Sequence, residues 1–412
     1  MNRHWFKTLG PGLLYAGAAV GVSHLIQSTR AGADFGYQLV WAIVIAIILK
    51  YPTFEFGPRY ASATGKNLLH GYQALGKWSV VLFFCLTLLS MFIIQAAVTI
   101  VTAGLFAEIF NIHLPAWSVS ALILLVCCLI LVIGKYSALD KTMKIIIITL
   151  SITTFFAFFA ALLGDNQKHE ALMNTFSFSN KSHILFLIAL MGWMPAPFDI
   201  SVWHSIWTTE KAKENPSITF KSTLLDFKIG YWTTLILSLA FLGLGAITLY
   251  GSGTELSSNG NEFAKQLLTI YTTNIGQWAY FIIAIAALTT MISTTLTCLD
   301  AQPRVMTETS QLIFGISNKQ KDNAYWFWLI TLILGAVSIL FYFLTNMKAM
   351  IDVATAIAFL TSPIIAILNY LVITGKTMPE DKKPPLFLKI LSGLGILFFL
   401  GFSIYYLYIT FI

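Results

Sequence analysis

Two short clusters of polar or helix-breaking residues interrupt long apolar segments of this chain, and they hold the side chains best suited to bind a ligand. The first cluster, residues 21–24, lies within the apolar segment 10–33, and the second, residues 194–199, lies within segment 183–207. Inside a membrane, backbone groups freed by a helix break are tolerated only where they face protein or a water-filled cavity. The candidate substrate-binding residues are therefore Gly21, Ser23, His24, Met194, Pro195, Ala196 and Asp199.

The chemistry of these two clusters favours a small anion as the ligand. A helix that restarts near Ser23 presents free N–H groups and the positive end of its dipole to the cavity, and a helix that restarts after Pro195 or Pro197 does the same. Ser23 and His24 can also donate hydrogen bonds. A divalent metal ion usually needs a carboxylate ligand, and Asp199 lies more than one helical turn beyond Met194. A bicarbonate-like anion is the first expectation, a divalent cation such as Mg²⁺ or Mn²⁺ the alternative, and a small organic solute the third.

The composition predicts an all-α protein that crosses a membrane many times. Of the 412 residues, 57% are hydrophobic and only 10% are charged, whereas a soluble domain carries about 25% charged residues. The net charge of +7 results from Lys and Arg in the loops assigned to the cytoplasm, which predicts a cytoplasmic N-terminus and an outer C-terminus. Nucleic acid is therefore excluded as a partner. The four cysteines all lie in apolar segments and are expected to pack.

Eleven transmembrane helices are predicted, in two groups of five and one extra C-terminal helix. The groups, residues 1–163 and 183–374, start in opposite orientations and each opens with a broken helix, as in an inverted-repeat transporter. An outer loop at 164–182 joins them, and 375–412 holds a cytoplasmic loop and the eleventh helix. The spans lie near residues 10–33, 36–56, 79–110, 114–134, 139–163, 183–208, 225–250, 277–299, 325–346, 350–374 and 387–411.

Two motifs flanking the first break, Gly10-Pro11-Gly12 and the segment Ala31–Tyr37, resemble those of the Nramp family of divalent-metal transporters. The resemblance extends through the tenth span and implies the five-plus-five inverted repeat of the LeuT fold. It also implies a small inorganic ion as substrate, carried across the bilayer by alternating access. The expected location is the plasma (inner) membrane.

The residues that bind metal and carry protons in the Nramp family are mostly replaced in this chain. Gly21 and His24 stand where the family has the Asp and Asn of its Asp-Pro-Gly-Asn motif. Met194 matches the family's metal-binding methionine, but Ala196 replaces the histidine that follows it. The acids of span 3 correspond to Val98 and Val101, and a glutamine of span 10 corresponds to Thr361. No metal ligand set is therefore expected, and this loss supports the anion over the metal.

The resemblance also suggests a coupling ion. Sodium-coupled members of this architecture use hydroxyls of span 8 together with carbonyls of span 1. Hydroxyl and carbonyl oxygens suit a hard monovalent cation, so Na⁺ is a possible coupling ion and no other cofactor is expected. The corresponding residues are Ala18, Gly21, Thr290, Ser293 and Thr294.

Several of these residues also have simpler structural interpretations. His24 could hydrogen-bond a neighbouring helix, Arg30 is expected to pair with Asp34 at i,i+4, and Lys50 is expected to snorkel or pair near the inner face. Asp199 could cap its helix or pair with His204.

An enzymatic function is not expected, because the chain has no phosphate-binding glycine-rich loop and no plausible nucleophile–base pair. A non-transporting sensor or scaffold on the same fold is the alternative from another functional class.

Overall fold

The structure, a computed structural model, describes residues 10–163, 175–253, 256–342 and 346–411, and its regular elements in these ranges are helices. The first half contains α1 Pro11–Ala19, a π-helical segment Ser23–Ser28, α2 Thr29–Phe35, α3 Val40–Thr64, α4 Leu68–Leu75, α5 Lys77–Ile109 and α6 Ala116–Leu163. The second half contains α7 Lys181–Trp193, α8 Ile200–Glu214, α9 Phe220–Thr248, α10 Gly260–Ile275, α11 Tyr280–Phe314, α12 Lys321–Tyr342, α13 Met347–Thr374 and α14 Leu386–Phe411.

The helices are those of a multi-pass integral membrane protein. In the described part of the chain, seven helices are long and apolar enough to cross a bilayer, namely α3, α5, α9, α11, α12 with its preceding turn, α13 and α14. Helix α6 has 48 residues and a length of about 72 Å, which exceeds one crossing of a hydrocarbon core about 30 Å thick. Its apolar stretches Ala116–Val132 and Ile147–Leu163 correspond to the predicted fourth and fifth spans, although the backbone is one continuous helix where the sequence predicts two. Residues 164–174 of the predicted outer loop lie outside the described residues.

Two helices are interrupted at the clusters singled out in the sequence. Helix α1 ends at Ala19, and helical backbone resumes with the π-helical segment at Ser23, past Gly21. Helix α7 ends at Trp193, residues 194–199 are not helical, and α8 begins at Ile200. Glycine favours non-helical backbone, and proline lacks the N–H that a helix needs. The local sequence therefore accounts for both interruptions.

Close backbone contacts hold both halves of the first broken helix against α9. A methyl group at Gly12 would lie 2.1 Å from the carbonyl oxygen of Asp226, and one at Gly32 would lie 2.0 Å from that of Leu242. The Asp226 carboxylate accepts hydrogen bonds from the backbone N–H of Gly10 at 3.1 Å and of Gly12 at 2.7 Å. Small residues let membrane helices approach this closely. The Gly10–Gly12 motif thus docks the start of α1 on α9.

Candidate functional site

A cavity of about 30 Å³ lies between the two helix interruptions, in the middle of the bundle. We call it the central cavity. Ala18 and Ser23 line it from the first interruption, Asp199 from the second, and Val98 from α5. Thr294 and Cys298 of α11 also line it. The two clusters identified in the sequence therefore meet at one small site.

Asp199 places a buried carboxylate at the central cavity. Its side chain is only 6% exposed, and its Oδ1 atom has no hydrogen-bond partner. Asp199 occupies the N-cap position of α8 but makes no side-chain cap hydrogen bond. The expected pairing with His204 is also absent, since neither ring nitrogen of His204 has a hydrogen-bond partner. A buried, unpartnered carboxylate oxygen is costly, so it is available to a ligand.

Ser23 and His24 have different surroundings, although they are neighbours in the chain. Ser23 Oγ lies 2.6 Å from the carbonyl oxygen of Ala19 and 3.3 Å from that of Pro195, so it connects the two interruptions. The His24 Nδ1 atom lies 2.7 Å from Ser23 Oγ, and its Nε2 atom donates to the carbonyl of Thr234 in α9 at 3.0 Å. His24 is not among the residues that line the central cavity. His24 therefore forms a hydrogen bond to a neighbouring helix.

The remaining candidates of the second interruption contribute backbone rather than side chains. Met194 is fully buried and does not line the central cavity. The carbonyl oxygens of Pro195 and Ala196 accept hydrogen bonds from Ser23 Oγ and Lys50 Nζ, respectively. The family's thioether ligand is therefore present in the sequence but lies away from the described cavity.

The candidates for a sodium site lie where the first interruption meets α11. A methyl group at Gly21 would lie 2.8 Å from Thr294, so the interrupted backbone packs directly on this threonine. Thr294 Oγ1 donates to the carbonyl of Gly17 at 3.1 Å or to that of Thr290 at 3.2 Å, and Thr290 donates to Ala286. Ser293 is buried on the same helix. Sodium binding here stays a prediction.

Three features of the site were missed in the sequence. Cys298, assigned to packing, lines the central cavity one helical turn beyond Thr294, and this i,i+4 spacing was the signal that could have identified it. Trp193 and Trp203 also line the cavity, and the indole Nε1 of each has no hydrogen-bond partner. Lys50 is fully buried at the second interruption, which corrects the expectation that it snorkels near the inner face.

A much larger cavity, of about 540 Å³, opens at the end of the bundle where α2 ends and α7 begins. We call it the vestibule. Arg30 lines it and forms an ion pair of 2.8 Å with Asp352 of α13, and it also donates to Gln27 at 2.9 Å. The sequence predicted Asp34 as the partner of Arg30. The ion pair that the structure shows for Arg30 is the one to Asp352 across the vestibule, so pairing with Asp34 stays a prediction.

On the other side of the central cavity the packing is tight. A narrow cavity of about 10 Å³ runs from Asp199 between α5 and α13, and Thr361 lines it. Beyond it, Asn369 of α13 donates to Ser201 Oγ at 2.8 Å and accepts from Tyr72 of α4 at 2.5 Å. These bonds connect three helices at the end opposite the vestibule.

Comparisons with known proteins show the family and the fold of this chain. The family model described as natural resistance-associated macrophage protein-like (Nramp) matches residues 12–409. An uncharacterised protein of Pasteurella multocida is 36% identical over 406 residues, which cover 98% of this chain and 92% of the relative. A divalent metal cation transporter, MntH, of Staphylococcus aureus is 24% identical over 265 residues, or 62% of this chain and 58% of the relative.

Solved structures show the same fold. A manganese transporter of Eremococcus coleocola superposes with a TM-score of 0.71 at 13% identity, covering 98% of this chain and 87% of that one. The structure of MhsT in complex with L-phenylalanine superposes with a TM-score of 0.61 at 15% identity, covering 98% of this chain and 99% of that one. Family and fold are those of transporters and not of enzymes. This chain belongs to the Nramp family and has its LeuT-type fold.

Proposed function

We propose that this protein is a secondary transporter of a divalent metal cation, which binds beside Asp199 in the central cavity. The observation that carries the proposal is the buried, unpartnered Oδ1 of Asp199 between the two helix interruptions. Membership of the Nramp family supports it, as does the relative named a divalent metal cation transporter. Uptake of Mn²⁺ into vesicles that contain the purified protein tests it.

The residues around the cavity suit a cation in two respects. Carboxylate, hydroxyl and carbonyl oxygens are the usual ligands of divalent cations, and Asp199, Ser23 and the interrupted backbone supply all three types. A cavity of about 30 Å³ has room for an ion or roughly one or two waters. Asp199 thus takes over the role of the acid that Gly21 replaces, from the other broken helix.

Cys298 is the basis on which we propose a class of metal. A thiolate ligand favours softer transition metals over Mg²⁺, whereas carboxylate and carbonyl oxygens accept Mn²⁺ and Mg²⁺ alike. Because Cys298 and Asp199 line the same cavity, we propose a Mn²⁺-type transition metal rather than Mg²⁺ as the substrate.

Replacing Cys298 with serine is expected to weaken Mn²⁺ binding about 10-fold, at the lower end of what loss of an outer-shell partner of a metal site costs, and to leave Mg²⁺ binding unchanged. Competition of the two metals for binding to the purified protein measures this. Cys127→Ser is the matched control, because Cys127 is equally buried but lies on α6, away from the cavity. Equal effects of Cys298→Ser on both metals would show that the thiol does not discriminate between Mn²⁺ and Mg²⁺.

A small anion remains the second candidate, because of one specific observation. Trp193 and Trp203 place two indole N–H donors without partners at the central cavity, and such donors suit an oxyanion. Two findings make the anion the weaker candidate. His24, the donor that first suggested it, is bonded to Thr234, and the unpartnered oxygen of Asp199 repels an anion.

The same geometry suggests how access to the cavity alternates. The ion pair of Arg30 and Asp352 connects the first broken helix to α13 between the vestibule and the central cavity. The bonds of Asn369 close the opposite end. We propose that these two sets of contacts open in turn within a five-plus-five inverted repeat followed by an eleventh crossing. The vestibule then opens to the outer side of the plasma membrane, and the N-terminus lies in the cytoplasm. Na⁺ at Thr290, Ser293 and Thr294 is the proposed coupling ion.

Breaking the vestibule ion pair is expected to expose the central cavity. In a variant whose other cysteines are serine, Cys298 is the only thiol, and its modification by a membrane-impermeant thiosulfonate reports access from the vestibule. Asp352→Asn should speed this modification several-fold, since a partly exposed ion pair contributes about 1 kcal/mol at most. Asp34→Asn, which removes another vestibule carboxylate, is the control. Unchanged modification in Asp352→Asn would argue against this ion pair as a gate.

A further inference from the structure

Lys50 of α3 places a buried amino group at the second helix interruption. Its side chain has no solvent exposure. Its Nζ atom donates to the carbonyl oxygen of Gly192 at 2.7 Å and to that of Ala196 at 3.3 Å. The same atom lies 5.1 Å from the ring centre of Phe198 and 5.3 Å from that of Phe399 in α14.

Each of these groups is one that attracts a positive charge. Gly192 is in the last turn of α7, where unpaired carbonyls form the negative end of the helix dipole. The faces of aromatic rings attract cations within about 6 Å. Together these groups form a site that would hold a small free cation if the lysine were absent.

We propose that Lys50 is a tethered cation, whose ammonium group occupies a monovalent-cation site at the interruption between α7 and α8 and thereby orients the carbonyls of Gly192 and Ala196. Lys50 is a positioning residue, because it contacts the interrupted backbone and not the central cavity. A buried ammonium group is very unfavourable unless it is paired and hydrogen-bonded, so its position depends on the carbonyls of Gly192 and Ala196. The orientation of these carbonyls depends equally on the ammonium, and this site needs no ion from solution. The inference holds whichever ion is transported.

The test is to remove the Lys50 side chain and to supply a free cation in its place. Lys50→Ala removes the ammonium and leaves space, which ethylammonium can fill, whereas Lys50→Met removes the charge but keeps most of the volume. The thermal unfolding midpoint of each purified protein is measured with increasing ethylammonium, and with ethanol as an uncharged molecule of similar size. This measurement does not involve the transported ion, so it is independent of whether the protein carries a metal.

We expect Lys50→Ala to unfold at a lower temperature than the wild type and to regain part of the difference, saturably, with ethylammonium only. The wild type and Lys50→Met should not respond to ethylammonium, and Lys50→Met should also be less stable than the wild type. If Lys50→Ala does not accumulate in the membrane, its recovery from cells grown with ethylammonium gives the same readout. The absence of any ethylammonium effect on Lys50→Ala, or wild-type stability of Lys50→Met, would overturn the proposal.

Discussion

Asp199→Asn is expected to abolish divalent-cation binding while leaving the protein folded. The substitution keeps the shape of the side chain but removes the negative charge that faces the central cavity. Loss of an outer-shell partner already lowers metal affinity about 10- to 100-fold, so loss of the carboxylate itself should cost more than about 100-fold. Titration calorimetry of the purified protein with Mn²⁺ measures the change.

Asp34→Asn is the matched control for this change. Asp34 lines the vestibule and not the central cavity, so its loss should leave Mn²⁺ affinity within a few-fold of the wild type. If Asp199→Asn bound Mn²⁺ as tightly as the wild type, the metal would have to bind elsewhere in the protein.

Gly32→Ala should destabilise the protein strongly, although it adds only one methyl group. That methyl would lie 2.0 Å from the carbonyl oxygen of Leu242 and 2.7 Å from the backbone nitrogen of Ala246. Backbone atoms of a packed helix cannot turn away as a side chain can, so α2 and α9 must separate. Overpacking of this kind costs about 1–3 kcal/mol and occasionally more. The unfolding midpoint in detergent measures it.

Gly401→Ala in α14 is the control for Gly32→Ala, because no atom lies within 4 Å of a methyl group placed there. Gly401, like Gly32, lies within a helix. Gly401→Ala should therefore be neutral or slightly stabilising, since alanine is the better helix former. Equal unfolding midpoints for Gly32→Ala and the wild type would mean that the helices are not in such close contact.

The helix interruptions were predictable because their causes are local. Gly21 and the prolines at 195 and 197 act on the backbone within one turn, whatever surrounds them. Given the interruptions, a meeting of the two clusters at one cavity was expected from the architecture that the Nramp motifs implied. Ser23 and Asp199 belong to the interrupted segments themselves, so their approximate positions depended only on where the interruptions lie.

The directions of the longer side chains were not predictable in the same way. Arg30 pairs with a residue 322 positions away, and His24 bonds one 210 positions away. Each side chain has several possible partners nearby. The partner it contacts depends on how helices from the other half of the chain are rotated about their axes and shifted along them. The same applies to Lys50, whose partners are backbone atoms of a helix end that a sequence pattern does not reveal.

The preference for an anion followed from counting charges at aligned positions. Gly21 and Ala196 replace family ligands, and Asp199 lies more than one helical turn beyond Met194, so it was not expected to replace the lost acid directly. The structure places Asp199 at the central cavity without a cap bond or an ion pair to His204. The charge at the site depends on this placement, which sequence spacing alone did not indicate.

Uptake into proteoliposomes, with Mn²⁺ and bicarbonate offered separately to the wild type and to Asp199→Asn, tests the central claim most directly. The account predicts that the wild type accumulates Mn²⁺ above empty liposomes, that Asp199→Asn does not, and that neither protein accumulates bicarbonate. Bicarbonate accumulation by the wild type, or Mn²⁺ uptake that is the same in Asp199→Asn, would contradict it. Accumulation of neither ion by the wild type would contradict it as well and would favour a sensor or scaffold.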